Sequence, residues 1–302
     1  NLKIIGGALT IHSNNSQINL NGLESLSVIG GLQVSELEIK NFDGLNNLKE
    51  INGNVKIQSN KWLLNFDGLS KLQILNGSFL VEDHELLENF HGLENLKSIG
   101  GKATIQYNSA LLNFEGLNQV DSISGDLSII GNSTLKNFSG LDYLTFINGE
   151  LGIGNSYYGG NQSLSSLSGL ENLTEINGKI RIADNTSLYS LVGIENIETG
   201  IESAYIRHNP NLSSCEVQSI CNYLETGAYT SIYDNSQGCN SPDEIREACG
   251  IPVSIDEIII SDILTPQPNP FTNEITIKYE LEDSSYTQIA IYNSAGVQIK
   301  LL

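Results

Sequence analysis

Residues 41–60 read NFDGLNNLKEINGNVKIQSN and residues 65–84 read NFDGLSKLQILNGSFLVEDH. Residues 89–108 (NFHGLENLKSIGGKATIQYN), 113–132 (NFEGLNQVDSISGDLSIIGN) and 137–150 (NFSGLDYLTFINGE) continue the series. These are copies of one unit, with Gly44, Gly68, Gly92, Gly116 and Gly140 at steps of 24 residues. A unit of that size cannot bury its own apolar face, so it stacks on its neighbours, and the expected architecture is a solenoid.

Each unit has two parts. VKIQSN, ATIQYN, LSIIGN and IRIADN alternate apolar and polar residues, which predicts a short strand with one buried face, paired in parallel with the strand of the next coil. Asn14, Asn60, Asn108, Asn132, Asn185, Asn209 and Asn235 each follow an apolar strand residue by three. They read as an asparagine ladder bonding the backbone of neighbouring coils, broken at His84 and displaced at Asn155. The other reading of the row is a line of polar ligand contacts. The second part, F-x-G-L-x-x-L-x-x-I-x-G, puts Phe42, Phe66, Phe90, Phe114 and Phe138 in a stacked spine, with Leu20, Leu167 and Leu191 replacing Phe in the outer coils. Leu45, Leu48 and Ile51 recur every third residue, which suits a tight, partly 3₁₀ path with every third side chain inward.

The array extends both ways. Residues 1–40 hold two looser copies, and Gly22 precedes Gly44 by 22 residues. From Gly140 to Gly169 is 29 residues, an insertion of five around Tyr157 to Asn161. The fold class expected is mainly β: a right-handed parallel β-solenoid over residues 1–210. A cysteine-rich helical cap follows over 211–250, and a linker with a partial antiparallel β-sandwich over 251–302. In the cap, Ser213 or Ser214 and Ser241 are the candidate N-caps of two short helices. Cys215, Cys221, Cys239 and Cys249 are an even, clustered set without a C-x2-C pair, so they read as two disulfides in an oxidising compartment, not as a zinc site. Four cysteines allow three pairings. In the tail, EITIKYEL and QIAIYNSAGVQI alternate as antiparallel strands with a turn at Ser294–Gly296.

The I-x-G-x-L-x-I pattern, preceded by L-x-x-L-x-x-I, resembles the receptor L domain of the EGF- and insulin-receptor ectodomains and related leucine-rich surface proteins of bacteria and fungi. The likeness covers roughly residues 1–250 and implies an extracellular recognition module without catalytic activity. In the tail, Pro268, Asn269, Pro270 and Phe271, with Ala295 and Gly296, are similar to the C-terminal sorting domain of the type IX secretion system of Bacteroidetes. The closing motif of that domain does not follow. This likeness implies a secreted or outer-membrane surface location. The bland reading of the tail is an ordinary small β-sandwich.

The chain of 302 residues is 39% hydrophobic and 17% charged, with a formal charge of −20. That charge argues against nucleic acid and anionic membrane as partners, and no apolar run reaches the length of a membrane span. No signal peptide is present at Asn1, but the sequence opens inside the repeat without a Met, as expected where processing has removed one. His12, His84, His91 and His208 form no metal-binding pair, and no nucleophile elbow, phosphate loop or dinucleotide fingerprint occurs. No cofactor is expected. Among the outward strand positions, Glu82 is the one carboxylate, which is poor in acid–base chemistry and better suited to binding. Arg181, Tyr205, Arg207 and Tyr233 fall on neighbouring strands, and Tyr157 and Tyr158 of the insertion can fold over the same edge. Aromatic rings and arginines are favoured in recognition surfaces, and these six residues are the candidate site for a protein or glycan partner. The bland reading is a solvated sheet face with good β-formers. The competing functions are a carbohydrate-active β-helix enzyme and a structural spacer.

Overall fold

The computed structural model describes residues 2–14, 19–251, 290–292 and 298–301. The chain divides into two compact units, Asn1–Val253 and Ser254–Leu302. The first is a parallel β-solenoid of about nine turns with a period of about 24 residues, followed by a small helical region holding two disulfides. Its long strands are β1 (Ile4–Asn14) and β2 (Val28–Leu37). From the third coil each turn carries a two-residue strand and then a longer one. These are β3 and β4 (Glu50–Ile51, Val55–Gln58), β5 and β6 (Ile74–Leu75, Phe79–Glu82), and β7 and β8 (Ser98–Ile99, Ala103–Gln106). The series goes on through β9 and β10 (Ser122–Ile123, Leu127–Ile130) and β11 and β12 (Phe146–Ile147, Leu151–Ile153). In β13 (Glu175–Ala183) and β14 (Thr199–Arg207) the two fuse, and β15 (Thr230–Tyr233) ends the sheet.

Every pairing in this sheet is parallel, and the register holds across the insertion: Val55, Phe79, Ala103, Leu127, Leu151, Ile180, Ala204 and Thr230 lie side by side. Inward residues alternate with outward ones, so the core is one continuous column. The phenylalanines stack with centroids 5.4–5.7 Å apart and planes within 13° of parallel. Phe79 tilts against Phe66 and Phe90 at 6.2 Å. The three-residue period becomes consecutive turns and not a 3₁₀ helix: Leu45 N–H donates to Phe42 O and Leu48 N–H to Leu45 O, and the turn ends in the two-residue strand.

The asparagines in the consensus have separate tasks. Asn65 Oδ1 accepts from Asp67 N–H and Asn89 Oδ1 from His91 N–H, turning the chain into the glycine. Asn47 and Asn95 Nδ2 each donate to a carbonyl of the preceding coil at 2.7 Å. The glycine is obligatory: Gly68 has φ +97°, and a Cβ there would stand 2.1 Å from Phe42 O of the coil before.

The ladder is complete where the sequence reading left it broken. Asn132 Oδ1 accepts from Asn108 N–H while its Nδ2 donates to Ile105 O, and Asn185 and Asn209 repeat both bonds. The insertion does not displace the ladder to Asn155. Asn161 fills the rung, with its Oδ1 accepting from Asn132 N–H and its Nδ2 donating to Ile129 O, so residues 155–160 form the excursion. His84 does not break the ladder either: its Nδ1 accepts from Asn60 N–H at 3.2 Å. The side chain of Asn14 lies outside the described residues.

The end of the solenoid carries α1 (Gln218–Glu225) and α2 (Pro242–Ala248). Ser241 Oγ accepts from Glu244 N–H and caps α2, with Pro242, Asp243 and Glu244 in its first turn. For α1 the expected serine caps are not used; Val217 stands at that position without a side-chain bond. The disulfides are Cys215–Cys239 and Cys221–Cys249. The first joins a buried core position of the last coil to the turn after β15. The second ties α1 to the end of α2. In the second unit, β16 (Ala290–Tyr292) pairs antiparallel with β17 (Gln298–Leu301). The turn at Ser294–Gly296, the strand EITIKYEL and the Pro268–Phe271 string lie outside the described residues.

Candidate functional site

The outer face of the parallel sheet carries a cleft of about 580 Å3. It exists because the middle strands have little to put there. Ser128 on β10 pairs with Gly152 on β12, so two neighbouring strands give a floor of a hydroxymethyl group and a hydrogen. Longer side chains rise on each side: Thr104, Gln106 and Glu82 toward the N-terminal coils, Glu150 and Arg181 toward the C-terminal ones.

The wall beyond Gln106 is made by two tyrosines. Tyr107 adopts φ +57° at the turn out of β8, and its ring lies so close over Gly131 that a Cβ there would meet ring carbons at 2.6–2.8 Å. Its hydroxyl donates to Tyr158 O at 3.3 Å. The excursion is closed on itself by reciprocal backbone bonds between Asn155 and Gly159, so Tyr158 is held as a bridge back to Tyr107. Burial raises the Tyr107 phenol above its ordinary value, and the Glu82 charge adds to this. Tyr158 lines the cleft with Arg181, as the sequence suggested, whereas Tyr157 is 86% exposed and takes no part in it.

The two carboxylates are already engaged. Glu82 accepts from Gln58 Nε2 and, at 2.6 Å, from Gln106 Nε2, one strand to either side. Glu150 grips Arg181, with Oε1 2.9 Å from Nε and Oε2 accepting from Nη2 at 3.3 Å. Glu150 overturns the expectation that Glu82 stands alone among carboxylates on this face. It sits one residue before β12, two positions before Gly152 and so on the same face, and its side chain reaches in.

Beside the cleft, Arg181, Tyr205, Arg207 and Tyr233 are brought together as their register requires. Tyr205 is the hub: Arg181 Cζ, Lys179 Nζ and Arg207 Cζ lie 5.7, 5.8 and 6.0 Å from its ring centre. Arg207 also lies 5.9 Å from the Tyr233 ring and donates from Nη1 to Tyr233 Oη at 3.1 Å. Tyr229 tilts against Tyr205, and His208 meets the edge of Tyr233 while standing 3.2 Å from Asp234. Tyr107, Glu150, Lys102 and Lys179 were not legible as site residues. For Tyr107 and Gly131 the signal was a large ring in one coil and a glycine at the same rung of the next.

No protein-family model matches the chain, and no curated protein matches it. Among the described residues, no group of three or more His, Cys, Asp or Glu could hold a metal ion, and no helix is long and apolar enough to cross a membrane.

Proposed function

We propose that this chain is a non-catalytic recognition module that binds a protein or glycan partner through the outer face of its parallel sheet, in the manner of a leucine-rich L-domain-like surface protein. The observation that carries this reading is the cleft floored by Ser128 and Gly152 and walled by the Tyr107–Tyr158 bridge and the Arg181–Glu150 pair. Ligand sites are concavities with a few fixed polar groups, and each wall here is held by an ion pair or hydrogen bond before any ligand arrives. The two disulfides support a secreted or outer-membrane surface location.

The test plugs the cleft without disturbing the coil. A Cβ at Gly152 would meet nothing nearer than Glu150 Oε1 at 3.3 Å, the tip of a flexible side chain. Gly152→Tyr fills the floor if Glu150 gives by a few tenths of an ångström, and a melting curve confirms that the variant folds. Immobilised wild type and Gly152→Tyr would be exposed to mucins, matrix proteins and a glycan panel. A partner held by wild type and lost by the variant supports the reading; a partner held equally by both rejects this face.

A second reading, a carbohydrate-active enzyme, draws on Glu82 and Glu150 lining one cleft. Turnover of a polysaccharide that disappears in Glu82→Gln would establish it. Against it stands the engagement of both carboxylates, which leaves neither free as acid or base.

A further inference from the structure

We infer that the site takes an acidic oligosaccharide, its hydroxyl-rich chain in the cleft and one carboxylate on Arg207 beside it, with the Lys179 charge across the Tyr205 ring adding to the pull. This rests on the recognition reading above and names its ligand.

The cleft itself speaks for a hydroxylated ligand. Its reachable groups are hydroxyls, amides and charges from Thr104, Gln106, Ser128, Lys102 and Glu150, with Ile130 as its one aliphatic side chain. A protein partner needs buried apolar or aromatic anchors at the centre of its footprint, and the floor offers a serine and a glycine. The cleft also runs across the strands, from β6 to β13. At about 4.8 Å per strand this row of five strands gives a track of roughly 19 Å, the shape of a short linear chain.

The cations beside it speak for a negative charge. Within the chain's formal charge of −20, Arg181 is neutralised by Glu150, but Arg207 and Lys179 stand in no ion pair among the described residues. Arg207 is nonetheless fixed. Two tyrosine rings and the Tyr233 hydroxyl hold it. Such a guanidinium is a preorganised site for a carboxylate. The nearby Asp234 is taken by His208. At physiological salt the screening length is about 8 Å, so these local cations, and not the distant acidic surface, set the potential an approaching carboxylate meets. The Tyr205 face is flanked by three cations, so it supports them and is not an open platform for sugar stacking.

The experiment measures binding of short oligogalacturonate, oligoalginate and hyaluronan chains, each beside its carboxyl-reduced neutral form, with poly-glutamate as an acidic peptide control. The proteins are wild type, Arg207→Gln, Lys179→Gln and Gly152→Tyr, with melting curves to confirm folding. The expected result is at least one uronate bound tenfold or more tighter than its reduced form. That preference falls to within threefold in Arg207→Gln, shrinks in Lys179→Gln, weakens with added salt and disappears with all binding in Gly152→Tyr. If acidic and neutral forms bind alike and Gly152→Tyr loses both, the acidic inference is overturned while the cleft reading stands. Stronger binding of poly-glutamate than of any uronate, or no uronate bound by wild type, also overturns it. Uronate binding that Gly152→Tyr leaves untouched overturns both readings.

Discussion

His84 occupies a rung that asparagine holds in the six following coils. Asparagine fits because its amide both accepts from one backbone N–H and donates to a strand carbonyl. Imidazole keeps the first bond, but its Nε2 is buried and makes no hydrogen bond of ordinary geometry. Burial pushes its pKa down from 6.5 to about 4, against the pull of the Asn60 and Ile57 carbonyls. The folded state thus binds a proton less readily than the unfolded chain. The neutral ring's contribution is fully present above pH 6.5 and is lost as pH falls toward 4. The loss should reach about 3 kcal/mol at about 1.4 kcal/mol per unit. His84→Asn should remove this acid-sensitive part and raise stability at neutral pH; denaturation midpoints at pH 7, 5.5 and 4 would check it, and equal slopes for both proteins would contradict it. The rung was visible in the sequence. That a histidine could serve it was not, because the pattern shows which residue recurs and not which bond it makes.

At the level of elements, the strands, the phenylalanine column and the pair of terminal helices were legible because each follows from a period or a cap. The two-residue strands before each glycine were not. Their residues fit the three-residue turn pattern equally well, and only the neighbouring coil turns them into strands. Disulfide pairing was open for a similar reason, since it depends on which ends meet. Cys215–Cys239 and Cys221–Cys249 close loops of 24 and 28 residues, for which chain entropy predicts roughly 3.5 kcal/mol each. These bonds act on α1, β15 and α2, at the C-terminal end of the stack. Mild reduction should therefore speed amide exchange in residues 211–250 while β4 to β12 keep their protection. Uniform loss of protection along the solenoid would show that the cap and coils unfold as one.

For the molecule as a whole, regularity wrote the fold into the sequence and also hid the site. The cleft arises where the repeat has least to say, at Ser128 and Gly152, and where Glu150, just outside its strand, and a six-residue excursion meet it. Of the six residues expected to form the site, five sit along the cleft or the Tyr205 hub and Tyr157 points away. That excursion leaves the coil after Gly154 and returns at Asn161, with the strand register intact on both sides. The backbone there keeps its phase, like a thread whose pitch is unaltered by a loop pulled out of one turn. Length at this corner is therefore free to vary while the winding is not. Exchanging Ser156–Gly159 for a longer glycine-rich segment should leave the melting temperature within a few degrees and change only what the cleft holds. Two residues added between Ile123 and Leu127 have no such exit, because a Cβ at Gly125 would already stand 2.9 Å from Lys102 N of the coil before, so they should lower the melting temperature by more than the exchanged excursion does. The solenoid is thus a scaffold with a graft point, on which a new specificity can be written without rewriting the fold.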